Sequence, residues 1–410
     1  MSSSSKQMPL NSIVQAIGIY ASKAISNKAK EDPSVADLSF GEPVFGPPDY
    51  AIEEIKFRNL SYETFLDSAK RYEGSQGSLG LRQAVSDWYR QRYALEVDPH
   101  TEIIITHGGV EAITLAMLAV TGEGDAIALA DPSYMLYSRT IQLLSRQVAQ
   151  VSREAGGNEV ANLLSTQSIN KANAFIINSP ENPSGYVLSS DDWKALAQFS
   201  NRNNTWIIHD EVYDTMTSGR LHTPAFGIEG LRENTITINS FSKKFGLPGL
   251  RIGWMVAPKA VIELAKKIHD YMYLGVNIQY QAIAETLLRH SARDMWLTSS
   301  SQMVTSRAQI SRATLTSEFG FTWNREPHGA MFLFPNISGL YRSLPSSYRT
   351  PGITEGEAVA AFLLKERKVA VVPGCVYGKE GDNSVRMVLC TADSVFSAAI
   401  RRLSSRPLGV

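Results

Sequence analysis

Lys243 closes the run Ser240-Phe241-Ser242-Lys243, directly after an apolar stretch at 235–239 and shortly before Arg251. A lysine at the end of a buried strand is poorly hydrated, so its pKa falls and its amine becomes a nucleophile. Two hydroxyls and a guanidinium beside it suit a phosphate dianion, although a basic solvated loop has the same composition. Asp210 ends a second apolar run, where a carboxylate is costly unless paired. A protonated ring nitrogen, a helix N-terminus or a salt bridge would each serve as its partner. A third run, Thr106-His107-Gly108-Gly109-Val110-Glu111, links a strand-like stretch to a helix-like one. Two glycines let the backbone approach an anion, and the N–H groups of a helix start favour negative charge. An ordinary tight turn between strand and helix would look alike.

These residues need a frame that brings them together. Short apolar runs at 103–106, 126–130, 174–178, 206–209, 235–239 and 252–256 read as strands buried on both faces, as parallel strands are. Helix-like spacing occurs at 79–93, 111–119 and 134–144. Strand and helix in alternation predict a three-layer αβα sandwich around a mostly parallel sheet. Ligands bind such sheets at the C-terminal strand edge. There the sequence places His107 to Gly109, Asp131 to Tyr134, Asn178 to Gly185, Asp210 to Tyr213 and Ser240 to Lys243. A long helical region is expected from about 277 to 319. Strands at 332–334, 370–372 and 385–389 then imply a smaller α+β unit. The expected division is an N-terminal arm at 1–45 contributing to the small domain and the substrate entrance, a large domain at 46–285 and a small C-terminal domain at 286–410.

Composition narrows the function. Lys+Arg and Asp+Glu both number 40, so no net field draws nucleic acid or an anionic membrane. Two cysteines, Cys375 and Cys390, are too few for a disulfide scaffold or a thiolate metal site, and no metal is expected. The start, residues 1–10, is polar and Ser-rich, without the apolar core of a signal peptide. No stretch is long and apolar enough to span a bilayer. A cytoplasmic protein is the expectation.

Taken together, the motifs resemble class I/II aminotransferases, the fold-type I pyridoxal 5′-phosphate (PLP) enzymes, over nearly the whole chain. They are Tyr72-x-x-x-x-Gly77 with Leu81-Arg82, Gly108-Gly109, Pro132-x-Tyr134, Asn178-x-Pro180-x-Asn182-Pro183-x-Gly185, Asp210-Glu211-x-Tyr213, Ser240-x-Ser242-Lys243, Arg251-x-Gly253 and Arg386. The resemblance implies a Schiff base between Lys243 and the cofactor, and a proton shuttle at the same amine. Asp210 would face the ring nitrogen, Tyr213 and Asn182 the phenolate oxygen, and Tyr134 the ring face. The backbone of Gly108, Gly109 and Val110, with Ser240, Ser242 and Arg251, would hold the phosphate. Tyr72 would reach the phosphate of a neighbouring subunit, which implies a homodimer with shared active sites. Arg386 would clamp the substrate α-carboxylate, with Asn182 and the backbone near Gly41.

Several neighbours are assigned no such role. Lys244 reads as a solvated or structural lysine, Glu211 as a supporting or helix-capping residue, Asn178 as a turn former, and Trp254 and Met255 as core. His107 is either a structural histidine or an imidazole reaching the cofactor rim. Val110 and Ser184 depart from the usual hydroxyl or lysine and the usual threonine. The segment 271–280, where dicarboxylate-specific relatives supply a second arginine, holds none, while Glu42 and Asp270 near the mouth could favour a cationic side chain.

The leading expectation is transfer of an amino group from an L-amino acid to a 2-oxo acid. The alternative keeps the cofactor but ends in elimination, cyclisation or oxygen-dependent oxidation of a cationic amino acid such as arginine. A non-catalytic PLP-binding regulator would need a DNA-binding module for which the chain has no spare length.

Overall fold

A computed structural model describes residues 10–57, 62–152, 160 and 171–404 of the chain. Most of the Ser-rich start, residues 1–9, lies outside them. Among the described residues, two short helices precede β1 (Ala36–Asp37). Seven strands of the described residues then build the main sheet: β2 (Ile103–Thr106), β3 (Ala126–Asp131), β4 (Gln147–Ser152), β5 (Ala174–Asn178), β6 (Trp206–Asp210), β7 (Thr235–Ser240) and β8 (Gly253–Val256). Their order is β2-β8-β7-β6-β5-β3-β4.

Successive side chains on these strands face opposite sides of the sheet, and each face is covered. Ile104, Ile176, Ile208, Ile236 and Ile238 pack with Ala112, Leu115 and Ala116 of the Gly108–Val120 helix. Phe175, Ile177 and Ile207 pack on the other side with Trp193, Leu196 and Phe199 of the Ser190–Asn203 helix. Burying each such side chain contributes about 1.5–3 kcal/mol before the entropy of ordering is set against it. The outcome is the expected three-layer fold-type I sandwich.

One sequence expectation needs correction, and one strand lies outside the sequence reading. The 252–256 run was expected to be a parallel strand, yet β8 runs antiparallel to both β7 and β2. The link from β7 holds only the short Phe241–Lys244 helix and a 3-10 turn at Pro248–Leu250. A parallel return needs a longer crossover, so the chain turns straight back. The edge strand β4 was not anticipated at all, because its residues are mostly exposed or half-buried and carry no apolar run.

The long helical region resolves into Ile278–Arg289 and Arg293–Phe319. Beyond it, β9 (Phe332–Leu333), β11 (Val372–Pro373) and β12 (Val385–Val388) form an antiparallel sheet in the order β11-β12-β9, while β10 (Val369–Ala370) pairs in parallel with β1. Among the described residues no helix is long and apolar enough to cross a membrane.

Candidate active site

The five predicted tails stand on one edge of the main sheet. β3, β5, β6 and β7 run parallel to one another, and β2 shares their direction because β8 reverses between it and β7. Their C-terminal ends therefore bring Thr106, Asp131, Asn178, Asp210 and Ser240 to a common rim.

Asp210 is buried at the end of β6. Its Oδ2 accepts a 2.6 Å hydrogen bond from the Tyr137 hydroxyl, and its Oδ1 accepts from the backbone N of Val212 at 3.2 Å. Burial pushes its pKa up to about 6, against the pull of those two donors. Tyr137 was missed in the sequence. It sits three positions after Tyr134 in the Met135–Leu143 helix, and that helical spacing next to a rim motif was the available signal.

Lys243 is half-buried in the Phe241–Lys244 helix, and its Nζ donates to the carbonyl of Gly41 at 2.8 Å. Burial lowers its pKa; Arg386 lowers it further, while Cys390, Glu42 and Asp210 oppose the shift. The helix starts at Ser240, whose Oγ accepts from Ser242 N at 3.1 Å and donates to Ser242 Oγ at 2.9 Å.

Arg386 lies on β12, buried between the rings of Phe332 and Tyr377 at 4.6 and 5.0 Å. Nη2 donates to the Ser39 carbonyl at 2.7 Å, Nη1 donates to Asn182 Oδ1 at 3.2 Å, and Nε is buried without a partner among the described residues. Asn182 N donates to Asn178 Oδ1 at 2.7 Å, and Asn178 Nδ2 donates to the Asp210 carbonyl at 2.8 Å. A hydrogen-bonded chain therefore runs from β12 to the end of β6. Asn178 is more than a turn former, since it joins two rim segments.

Tyr213 is buried with its ring edge-on to Phe332 at 5.5 Å, and burial raises its pKa. The Tyr134 ring stands edge-on to Tyr137 at 5.4 Å, and its hydroxyl is 2.5 Å from that of Tyr20 in the N-terminal arm.

Gly108 starts its helix at φ +76°, and a Cβ there would lie 2.8 Å from Arg251 Nη2. Arg251 Nη2 itself donates to the His107 carbonyl at 3.2 Å. A Cβ at Gly253 would lie 2.8 Å from the carbonyl carbon of Gly108, so glycine there permits the close approach of the two turns. A Cβ at Gly109 would stand 3.8 Å from Ser240 Cβ. Gly108, Gly109, Ser240, Ser242 and Arg251 thus share one small region at a helix start. Val110 is 43% exposed beside it, and Tyr72 is 79% exposed on the surface of this chain.

The family model "Aminotransferase class I and II" matches residues 33–403. The chain belongs to the class I and II aminotransferases. It is similar to an aspartate aminotransferase of Pyrococcus horikoshii, 28% identical over 93% of each chain, and to aromatic-amino-acid aminotransferase 2 of Thermococcus litoralis, 27% identical over 90% of each. Its fold superposes on the solved N-succinyldiaminopimelate aminotransferase of Mycobacterium tuberculosis with a TM-score of 0.83, at 26% identity over 97% of this chain and 99% of the other.

Three neighbours of this aminotransferase's rim have definite surroundings. His107 Nδ1 lies 2.8 Å from Glu111 Oε2, its ring stacks on His269 at 5.9 Å, and its backbone N donates to the same Glu111 carboxylate. That arrangement fits the structural reading of His107. Burial would raise the pKa of Glu111, but the contacts with His107 and His269 outweigh it and hold the carboxyl at about 2. Lys244 is fully buried, 3.0 Å from Asp214 Oδ1 and over the faces of Trp254 and Trp88. It is structural, and the solvated reading is excluded. Glu211 is fully buried and accepts from the Tyr89 hydroxyl and Asn239 Nδ2, with His222 Nε2 at 2.9 Å. Trp254 and Met255 pack in the core, as expected.

Proposed function

We propose that this aminotransferase uses pyridoxal 5′-phosphate and moves an amino group from an L-amino acid to a 2-oxo acid, with Lys243 as the amine that bonds the cofactor. The observation that carries the reading is the meeting, at the C-terminal edge of the main sheet, of an amine with a lowered pKa and a buried carboxylate with a buried guanidinium brought in from β12.

The residues present suit such a group. The turn at Gly108 and Gly109, with Ser240, Ser242 and Arg251, has the donors for a phosphate, and the Val110 N–H adds to them. Asp210 would sit against the ring nitrogen. A cation there would draw the Asp210 pKa down and keep the carboxylate charged. Tyr213 and Asn182 would face the ring oxygen, and Tyr134 the ring. When bound, the cofactor supplies an electron sink for the pair left at the substrate Cα.

The chain's own residues do the rest. Lys243, whose pKa burial lowers, takes the proton from the substrate Cα and would hand it to the cofactor carbon that bonds the amino nitrogen. To do so its Nζ gives up the Gly41 carbonyl. Arg386 receives the α-carboxylate, with Asn182 and the backbone by Gly41 bordering it, and so fixes which Cα bond faces Lys243. The buried surroundings limit water at the reacting atoms.

The reading includes a homodimer, with Tyr72 completing the phosphate site of the second copy, and a cytoplasmic setting. Similarity to named aminotransferases favours transfer over oxidation or elimination. The test is a panel of amino acids added to protein loaded with pyridoxal phosphate. Bleaching of the visible band, and amino transfer in stoichiometric amount to an added 2-oxo acid, is the expected result. Oxygen uptake, or ammonia release without an acceptor, would overturn transfer. Absence of a borohydride-fixed adduct on Lys243 would overturn the cofactor assignment.

A further inference from the structure

Asp210, Lys243 and Ser240 each adjoin in the chain a residue that is fully buried beneath the rim: Glu211, Lys244 and Asn239. These three meet at a single amide. Asn239 Nδ2 donates to Glu211 Oε1 at 3.0 Å, and Asn239 Oδ1 accepts from Ser240 N at 2.8 Å and from Lys244 Nζ. Glu211 is held in turn by Tyr89 and His222, and Lys244 by Asp214. An amide suits the position because one end must donate to a carboxylate while the other accepts from an ammonium. Leucine offers neither function. Aspartate offers no donor and sets a second negative charge against Glu211.

We propose that Asn239 is a positioning residue: through Glu211, Lys244 and the Ser240 backbone, it fixes the Asp210 carboxylate, the Lys243 amine and the Ser240–Ser242 hydroxyls relative to one another. This rests on the reading given under Proposed function. Both ends of the Asn239 amide are satisfied in this network, and small misplacements at reacting groups are costly in rate.

The test compares wild-type holoenzyme with Asn239→Asp and Asn239→Ser, the smaller variant serving if the charged one does not fold. Three quantities are measured: kcat and amino-acid KM, the dissociation constant of pyridoxal phosphate, and the pH midpoint of the bound cofactor's visible band. Positioning predicts that kcat falls by about tenfold or more while KM stays within about twofold. It also predicts a weaker hold on the cofactor in both variants and an upward shift of the band midpoint in Asn239→Asp, where a negative charge is added. Lower thermal stability with wild-type kcat, cofactor affinity and band midpoint would overturn the proposal while leaving the cofactor assignment intact. Failure of the wild type to take up pyridoxal phosphate would remove that assignment, and this inference with it.

Discussion

The Tyr137 hydroxyl donates a 2.6 Å hydrogen bond to Oδ2 of Asp210, and both groups are buried. The bond comes from a helix on one sheet face and reaches the end of a central strand. It fixes the direction in which the carboxylate presents its remaining lone pairs.

Tyr137→Phe keeps the ring and its packing on Tyr134 but leaves Oδ2 without that donor. Losing a hydrogen bond to a buried charged group costs about 1.5–3 kcal/mol. The expected outcome is a fall of about tenfold or more in kcat with little change in amino-acid KM, read from steady-state kinetics.

Arg386→Lys keeps the charge and loses the planar fork. A lysine can still contact Ser39 O or Asn182 Oδ1, but it cannot do both and also clamp a carboxylate at two points. We expect KM for the amino acid to rise by about a hundredfold, equivalent to roughly 2.7 kcal/mol. Affinity for pyridoxal phosphate should stay near wild type, measured by equilibrium dialysis.

Asp210 links stability to pH in the cofactor-free protein. Its pKa is raised from 3.8 to about 6, so the folded chain keeps this proton to higher pH than the unfolded chain does. Below about 3.8 both states are protonated and nothing is lost. Stability then declines as pH rises through 6, by about 3 kcal/mol in all. Asp210→Asn removes that dependence. Cofactor-free Asp210→Asn should melt higher than wild type at pH 8 and show no such gain at pH 3.5.

Lys244→Met removes the cation beside Asp214 and leaves that carboxylate buried. Breaking one side of a buried pair costs about 3–5 kcal/mol. Denaturant unfolding should show the loss. The double variant Lys244→Met with Asp214→Asn should regain part of it, because the uncompensated charge is gone.

The order and spacing of the rim motifs, from Gly108-Gly109 through Asp210 and Lys243 to Arg386, were legible in the amino-acid sequence, as were most strands of the main sheet. Buried parallel strands are continuous apolar runs, and the polar residue that ends each run marks the binding edge. Three things needed the folded chain. The direction of β8 depends on how its neighbours pair, and its apolar pattern is the same either way. The Tyr137–Asp210 bond spans a separation in sequence that no local pattern encodes. The burial of Lys244 and Glu211 follows from which way each side chain turns at the rim, so a residue one step along from Lys243 or Asp210 passes from the rim into the network beneath it.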